Sequence, residues 1–166
     1  LQKRVAELHE NNVRIRFMGE LSAFSDDLRA GMRKAEEQTR HNDSLTVVVA
    51  VNYGGQWDIA QAARAAAEQV QAGAIQVADI TDAYLGAQLY LADLPPVDLL
   101  IRTGGEYRIS NFMLWQVAYS ELYFTDELWP DFDERSLEQA VVEYSGRQRR
   151  FGRSGAEVAQ LTNKKG

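Results

Sequence analysis

Apolar and polar residues follow first a helical and then a strand-like pattern at the start of the chain. Leu1, Val5 and Leu8 recur at the spacing of one helix face. Residues 13–19 alternate between apolar and basic side chains, which predicts a strand with one half-buried face. Ser25 then predicts a helix N-cap, because two aspartates follow it and favour a first helical turn.

The next segments alternate between the two kinds of pattern. Residues 45–51 are nearly all apolar and rich in β-branched side chains, which is typical of a strand buried on both faces of a parallel sheet. Helices are predicted from Asp58 to about Gly73 and from Thr81 onward. In the second half we predict a strand ending at Arg102, a helix over 111–119, a short strand over 122–124 and a last helix from Ser136.

This alternation of strands and helices predicts the fold class. We expect an α/β fold, with a mostly parallel β-sheet flanked by helices on both faces, in a single domain over residues 1–166. In such sheets ligands bind beyond the carboxyl ends of the strands. Two glycine pairs, Gly54-Gly55 and Gly104-Gly105, follow predicted strands and so fall in that region.

Composition narrows the classes of partner and of chemistry. A net charge of −6 argues against nucleic acid bound through a general basic surface. The absence of cysteine removes disulfides, thiolate nucleophiles and cysteine-based zinc sites. No apolar run approaches the roughly 20 residues that span a bilayer. The chain begins without Met and within a helical pattern, so we expect it to be the C-terminal portion of a longer protein.

The segment RTGGEYRISNF, residues 102–112, carries the candidate binding chemistry. Arg102 and Arg108 offer planar sets of donors that match phosphate oxygens, and Ser110 adds a hydroxyl. We also expect the amides near Ile109 to precede a helix, where anions are favoured. These features predict a phosphate or diphosphate site. The alternative is that the arginines pair with Glu106 or another carboxylate, and the residues alone do not decide between the two.

Glu121 is the candidate metal ligand. It stands among aromatic and apolar residues, where a carboxylate must be paired or must hold a cation. Mg²⁺ is commonly held by one or two carboxylates together with substrate phosphate oxygens. A single glutamate near a diphosphate site therefore fits Mg²⁺, and pairing with an arginine is an equal alternative.

Several ordered motifs resemble those of the cis-prenyltransferase family, and within it the bacterial undecaprenyl diphosphate synthases. The matching stretches are Asp98 to Glu106, Arg108 to Phe112, Trp115-Gln116, Ala118-Tyr119, Glu121 to Phe124, Leu128 to Phe132, the NYGG block at 52–55 with Trp57 to Ile59, and Arg149 to Gly152. This resemblance covers essentially the whole chain.

The resemblance implies roles for the candidate residues. Arg102, Arg108 and Ser110, with the backbone at Ile109, would bind the diphosphate of isopentenyl diphosphate, and Glu121 would help to place Mg²⁺. Members of the family condense an allylic diphosphate, commonly farnesyl diphosphate, with isopentenyl units to form cis double bonds. The resemblance further implies a homodimer in the cytoplasm, which contacts a membrane through its lipid product.

Two departures from the family pattern limit these implications. The N-terminal Asp-Gly-Asn-Gly-Arg-Trp motif is absent, so the family's principal metal-binding aspartate is missing and no catalytic residue is assigned in this chain. Tyr107 stands where some members have His. The chain is therefore either part of an active enzyme or a non-catalytic, diphosphate-binding subunit. The intact RTGGEYRISNF segment favours the enzyme, because non-catalytic subunits of the family typically lose it.

Overall fold

A computed structural model describes residues 2–147, except for the side chains of residues 2 and 3. The basic segment from Arg149 to Gly152, which carries part of the family resemblance, lies outside the described residues, as does Leu1. The helices are α1 (Gln2–Glu10), α2 (Asp26–Thr39), α3 (Gly55–Gln71), α4 (Asp82–Gln88) and α5 (Glu134–Ser145); the strands are β1 (Val13–Met18), β2 (Leu45–Ala50), β3 (Leu99–Arg102) and β4 (Glu121–Phe124).

The chain divides into two compact units. Among the described residues, the first unit runs to Leu94 and includes Asn111–Met113, and the second comprises Pro95–Ser110 and the residues from Leu114. In the first unit β1 and β2 pair in parallel, with Val13 opposite Leu45 and Met18 opposite Ala50. The prediction of a single domain over residues 1–166 stays a prediction.

The core of the first unit lies where α1 and α2 pack on β1. Val5, Ile15 and Ala35 are buried together, one from each of these elements. Burying these apolar side chains removes them from water and holds both helices against the strand. The apolar spacing that predicted α1 therefore includes Val5 in this core and Leu8 packed against it.

The outer edge of β1 is satisfied by side chains of α2 and of the turn after it. Thr39 Oγ1 accepts a hydrogen bond from the Ile15 amide at 3.0 Å, and Glu36 Oε1 accepts one from the Phe17 amide at 2.8 Å. Asn42 Nδ2 donates to the Val13 carbonyl at 2.8 Å. These side chains take the place of a neighbouring strand, which protects an edge that would otherwise pair with another chain.

The second unit contains the other parallel pair. β3 and β4 run side by side, with Leu99 opposite Glu121 and Arg102 opposite Phe124. The Thr125 amide extends the ladder by donating to the Arg102 carbonyl at 3.0 Å. Both strands therefore end at the same edge of the sheet, where the loop that begins at Thr103 leaves it.

The structure confirms the α/β class with parallel strands, and it confirms the predicted elements α1, α2, α3 and α4. Ser25 caps α2 as predicted, since its hydroxyl accepts from the Leu28 amide. The prediction that residues 45–51 are buried on both faces is wrong, because β2 is only partly buried and Leu45 is 57% exposed. In the described chain the strands form two separate pairs.

Two predicted helix positions are also wrong. Residues 111–119 form turns and no helix is assigned there. Ser110, Asn111 and Met113 have positive φ angles of 45°, 65° and 49°, a conformation that an α-helix does not contain. The last helix begins at Glu134 with Asp133 as its N-cap, because the Asp133 carboxylate accepts from two amides of the first turn; Ser136 lies inside the helix.

Candidate anion-binding site

The loop that follows β3 is fixed to the chain that follows β4. The Gly104 amide donates to the Glu127 carbonyl at 2.7 Å, and the Gly105 amide donates to the Thr125 carbonyl at 3.0 Å. Both glycines have positive φ angles, 85° and 69°, which other residues rarely adopt. The glycine pair thus lets the loop turn sharply while its amides remain bonded.

Arg102, the last residue of β3, extends its side chain into this loop. Its Nη1 donates to the Ser110 hydroxyl at 2.8 Å and also to the Arg108 carbonyl. The side chain is 25% exposed, so it is more sheltered than a typical surface arginine. The structure therefore brings Arg102 and Ser110 into contact, as the sequence predicted for a shared site.

Glu106 lies between the two arginines. Its Oε2 is 3.8 Å from Arg102 Nη2 and also forms an ion pair with Arg108 Nη2. The alternative prediction, that the arginines pair with Glu106, is thus confirmed. Two guanidinium groups share the Glu106 carboxylate, so N–H donors remain for an anion. The Arg108 side chain is 66% exposed and accessible to a ligand.

The backbone near Ile109 and Ser110 differs from the prediction. No helix begins after these residues, so their amides do not gain the field of a helix N-terminus. The Ile109 side chain is half-buried and Ser110 is exposed. The arginines and the Ser110 hydroxyl consequently attract an anion without the help of a helix N-terminus, and binding by the backbone at Ile109 stays a prediction.

Glu121 lies away from the arginine cluster. It is the first residue of β4, opposite Leu99, at the other end of the strand pair from Arg102 and Phe124. Two residue pairs lie between these ends, so they are three steps apart, and at about 3.3 Å per residue this is a separation of about 10 Å along the strands. Glu121 Oε2 forms an ion pair with Arg147 Nη1 at 3.1 Å, so the predicted pairing with an arginine is present.

Glu121 offers one carboxylate to Mg²⁺. Within residues 2–147 no group of three or more histidine or acidic side chains is close enough to enclose a metal ion. Mg²⁺ does not require such a cage, since it is often bound by one or two carboxylates, substrate phosphates and water. The partly exposed Glu121 carboxylate fits that mode, provided that it exchanges Arg147 for the metal.

Residues beyond β4 were missed by the sequence analysis. Tyr107 donates its hydroxyl to Asp126 Oδ1 at 2.7 Å, and Thr125 and Glu127 accept the two glycine amides through their carbonyls. A signal for them was present in the sequence. Because parallel strands end at the same edge, residues that follow β4 must lie beside residues that follow β3.

The other glycine pair begins a helix. Gly54 is the N-cap of α3, and Asn111 accepts hydrogen bonds from the first turn of the helix. Its carbonyl accepts from the Gly55 amide at 2.7 Å, and its Oδ1 accepts from the Gln56 amide at 2.8 Å. A side chain at residue 54 would collide with Asn111, since its Cβ would lie 2.7 Å from Nδ2. This N-terminus is therefore already satisfied within the protein.

Comparison with known proteins defines the family. The family model described as putative undecaprenyl diphosphate synthase matches residues 1–152, and the chain belongs to this prenyltransferase family. Curated relatives named ditrans,polycis-undecaprenyl-diphosphate synthase ((2E,6E)-farnesyl-diphosphate specific) include one from Salmonella paratyphi A, 54% identical over 92% of the chain, and one from Aliivibrio fischeri, 50% identical over 99% of it. The chain spans 60% and 64% of the lengths of these two relatives.

Solved structures agree with this membership. Lavandulyl diphosphate synthase from Lavandula x intermedia, in complex with dimethylallyl diphosphate, matches with a TM-score of 0.86 and 36% identity, over 91% of this chain and 66% of that one. A probable undecaprenyl diphosphate synthase from Campylobacter jejuni matches with a TM-score of 0.77 and 32% identity, over 92% and 69%. The α/β fold and the predicted resemblance are thereby confirmed.

Proposed function

We propose that the natural protein containing this chain is a cis-prenyltransferase. It would condense isopentenyl diphosphate repeatedly onto an allylic diphosphate, with farnesyl diphosphate as the primer, to form a long-chain polyprenyl diphosphate such as undecaprenyl diphosphate, the precursor of the lipid carrier in cell-wall synthesis. The observation that carries the proposal is the convergence of Arg102, Arg108 and Ser110 in one loop. Identity of about 50% to synthases with this named specificity supports it.

The arginine cluster would hold isopentenyl diphosphate by its diphosphate. Arg102 already directs one nitrogen toward the Ser110 hydroxyl, and Arg108 is exposed at the mouth of the loop. An incoming diphosphate carries more negative charge than the Glu106 carboxylate and offers oxygens to both guanidinium groups. We therefore expect it to replace Glu106 as the partner of the arginines.

The reaction would proceed at the carbon end of the bound substrate. The isopentenyl double bond attacks the allylic carbon, the allylic diphosphate leaves, and the isopentenyl unit loses a proton to restore a double bond. Arg102 and Arg108 would orient the isopentenyl unit for this step, because a fixed diphosphate fixes the direction of its short carbon chain. No residue of this chain is assigned to the proton transfer.

Mg²⁺ is the proposed metal, and Glu121 its proposed ligand in this chain. When bound, Mg²⁺ neutralises charge on diphosphate oxygens and so favours departure of the allylic diphosphate. Glu121 would hold the ion through a partly exposed carboxylate oxygen. Glu121 would act about 10 Å along the strands from Arg102, at the other end of the strand pair.

The proposed assembly and location follow from the family resemblance. We propose a homodimer that works in the cytoplasm and contacts a membrane through its lipid product. None of the helices within residues 2–147 has the length and apolar character needed to cross a bilayer. Exposed apolar side chains on α5, among them Leu137, Val141 and Val142, leave surface for a partner copy.

The function is tested by product formation. The natural full-length protein is incubated with labelled isopentenyl diphosphate, farnesyl diphosphate and Mg²⁺, and the label in extractable polyprenyl product is measured. Label that depends on farnesyl diphosphate and on Mg²⁺ is the expected result. A protein that binds isopentenyl diphosphate but forms no product would instead support the second candidate, a non-catalytic diphosphate-binding subunit, which the pairing of both arginines with Glu106 also allows.

A further inference from the structure

Tyr107 lies between Glu106 and Arg108 in the sequence of the loop. Its side chain is 66% exposed, so it is not a core residue, yet its hydroxyl donates to Asp126 Oδ1 at 2.7 Å. Its ring lies 5.6 Å from that of Phe124, the last residue of β4. An exposed tyrosine held from two sides is restrained without contributing much to burial.

The hydrogen bond completes a set of links between two segments. The amides of Gly104 and Gly105 are bonded to the carbonyls of residues 127 and 125, which fixes the start of the loop. Beyond Gly105, the side chain of Tyr107 forms the next hydrogen bond to the segment after β4. Glu106 and Arg108, its neighbours in sequence, pair with each other. Because Tyr107 lies between them in the chain, the hydrogen bond that holds Tyr107 restrains the backbone of both.

We propose that the hydrogen bond from Tyr107 to Asp126 positions Arg108 for binding of a diphosphate, so that Tyr107 and Asp126 are positioning residues of the isopentenyl diphosphate site. This inference rests on the proposed function and deepens it. Neither residue is assigned a contact with substrate; both act through Arg108, whose backbone carbonyl Arg102 also contacts.

Two further observations agree with this role. Asp126 lies close to the second glycine of the pair, since a Cβ on Gly105 would be 3.3 Å from Asp126 Oδ1. A side chain at residue 105 would therefore crowd the carboxylate that accepts from Tyr107. Its acceptance of the hydrogen bond also raises the pKa of the Tyr107 phenol, so the hydroxyl remains a donor throughout the neutral range.

The test compares binding of isopentenyl diphosphate by calorimetry, in the natural full-length protein and without an allylic substrate. Tyr107→Phe keeps the ring contact with Phe124 and removes only the hydroxyl. We expect its dissociation constant to rise roughly three- to tenfold, the effect of one hydrogen bond of ordinary strength. Tyr84→Phe is the matched control, because it removes a similar 2.9 Å bond to Gln69 in the first unit.

A second variant shows whether the effect passes through the hydrogen bond. In an Asp126→Ala background the partner is already absent, so adding Tyr107→Phe is expected to change the dissociation constant no further. Steady-state rates with farnesyl diphosphate provide another readout: Tyr107→Phe should raise the KM for isopentenyl diphosphate and leave kcat nearly unchanged. Thermal unfolding of each variant identifies any loss of folded protein.

The outcomes separate this inference from the proposed function. Wild-type affinity in Tyr107→Phe would overturn the positioning role, and so would an equal loss of affinity with and without Asp126. In both cases the proposed function stands as long as the wild-type protein binds and elongates. If the wild-type protein does not bind isopentenyl diphosphate, the proposed function fails and the inference fails with it.

Discussion

The edge of β1 and the loop after β3 both place polar side chains next to backbone, but they use them differently. At β1, side chains of Thr39, Glu36 and Asn42 are bonded to main-chain groups of the strand. In the loop, the charged groups of Arg108 and Glu106 are bonded to each other and are accessible to solvent. The first arrangement completes a sheet, and the second leaves charges whose partners can be exchanged.

This difference separates a structural polar group from a binding group. Removing the Thr39 hydroxyl would leave the buried Ile15 amide without a partner, which is costly in the folded protein whether or not a ligand is bound. Removing Glu106 from Arg108 exposes a charge that water or an anion can satisfy at little cost. Exchangeable pairing of charged side chains on the loop after β3 is therefore what distinguishes the candidate site from the edge of β1.

The largest expected effect is on binding at the loop. Arg102→Ala removes a partly buried guanidinium group that would contact the diphosphate, and a charge-assisted hydrogen bond is worth roughly 1.5–3 kcal/mol. We therefore expect about ten- to hundredfold weaker use of isopentenyl diphosphate, measured as kcat/KM in the full-length protein. Arg40→Ala is the control, since it removes an exposed arginine paired with Glu37 on α2. Unchanged kinetics in Arg102→Ala would remove this residue from the site.

The next effect is on stability at the edge of β1. Thr39 is fully buried, and its hydroxyl accepts from the Ile15 amide and donates to the Ala35 carbonyl at 2.9 Å. Thr39→Val keeps the shape but leaves the amide unpaired, which should lower the free energy of unfolding by about 1–3 kcal/mol. Urea unfolding measures this, with Thr46→Val on β2 as the control. A strong loss of affinity for isopentenyl diphosphate with unchanged stability would contradict the division drawn between the two regions.

The sequence predicted the elements around β1 better than the loop after β3. Repeating apolar patterns identified α1 and the strands, because burial dictates that spacing, and the Ser25 cap identified α2. The patterns failed at residues 111–119, where an apolar pattern resembles a helix but Asn111 and Met113 adopt positive φ angles that serve the local turns. The sequence also could not decide whether Arg102 pairs with Glu106, since pairing depends on distances that the folded loop sets. Asp126 was missed because its role arises only from the parallel pairing of β3 and β4.

A smaller effect is expected at Glu121, whose carboxylate is paired within the protein and can also exchange its partner. Its carboxylate is held by Arg147, yet it is accessible enough to exchange that partner for a metal ion. Glu121→Gln should raise the Mg²⁺ concentration for half-maximal activity by about tenfold, as expected for the loss of one charged ligand. Direct titration with Mn²⁺, followed by electron paramagnetic resonance, gives a readout independent of turnover. Glu143→Gln on α5 is the control, and equal metal dependence in both variants would exclude Glu121 as a ligand.

The smallest effect is expected for the exposed ion pair between Arg16 and Asp93, where Arg16 donates two hydrogen bonds of 2.6 and 3.1 Å. These bonds hold the pKa of Asp93 below its usual value. A carboxyl group with a lowered pKa contributes stability above its unfolded pKa and loses that contribution as the pH falls through the folded pKa. Asp93 is 61% exposed, so solvent screening limits the contribution to at most about 1 kcal/mol.

Asp93→Asn should therefore lower the melting temperature slightly at pH 7, and the difference from the wild-type protein should shrink as the pH falls below about 4, where unpaired aspartates become protonated. Glu138→Gln on α5 serves as the control for loss of an exposed negative charge. A difference that persists undiminished in acid would show that Asp93 stabilises the first unit through its shape or its neutral hydrogen bonds. It would then belong with Thr39 as a structural polar group rather than with the exchangeable pair of Arg108 and Glu106.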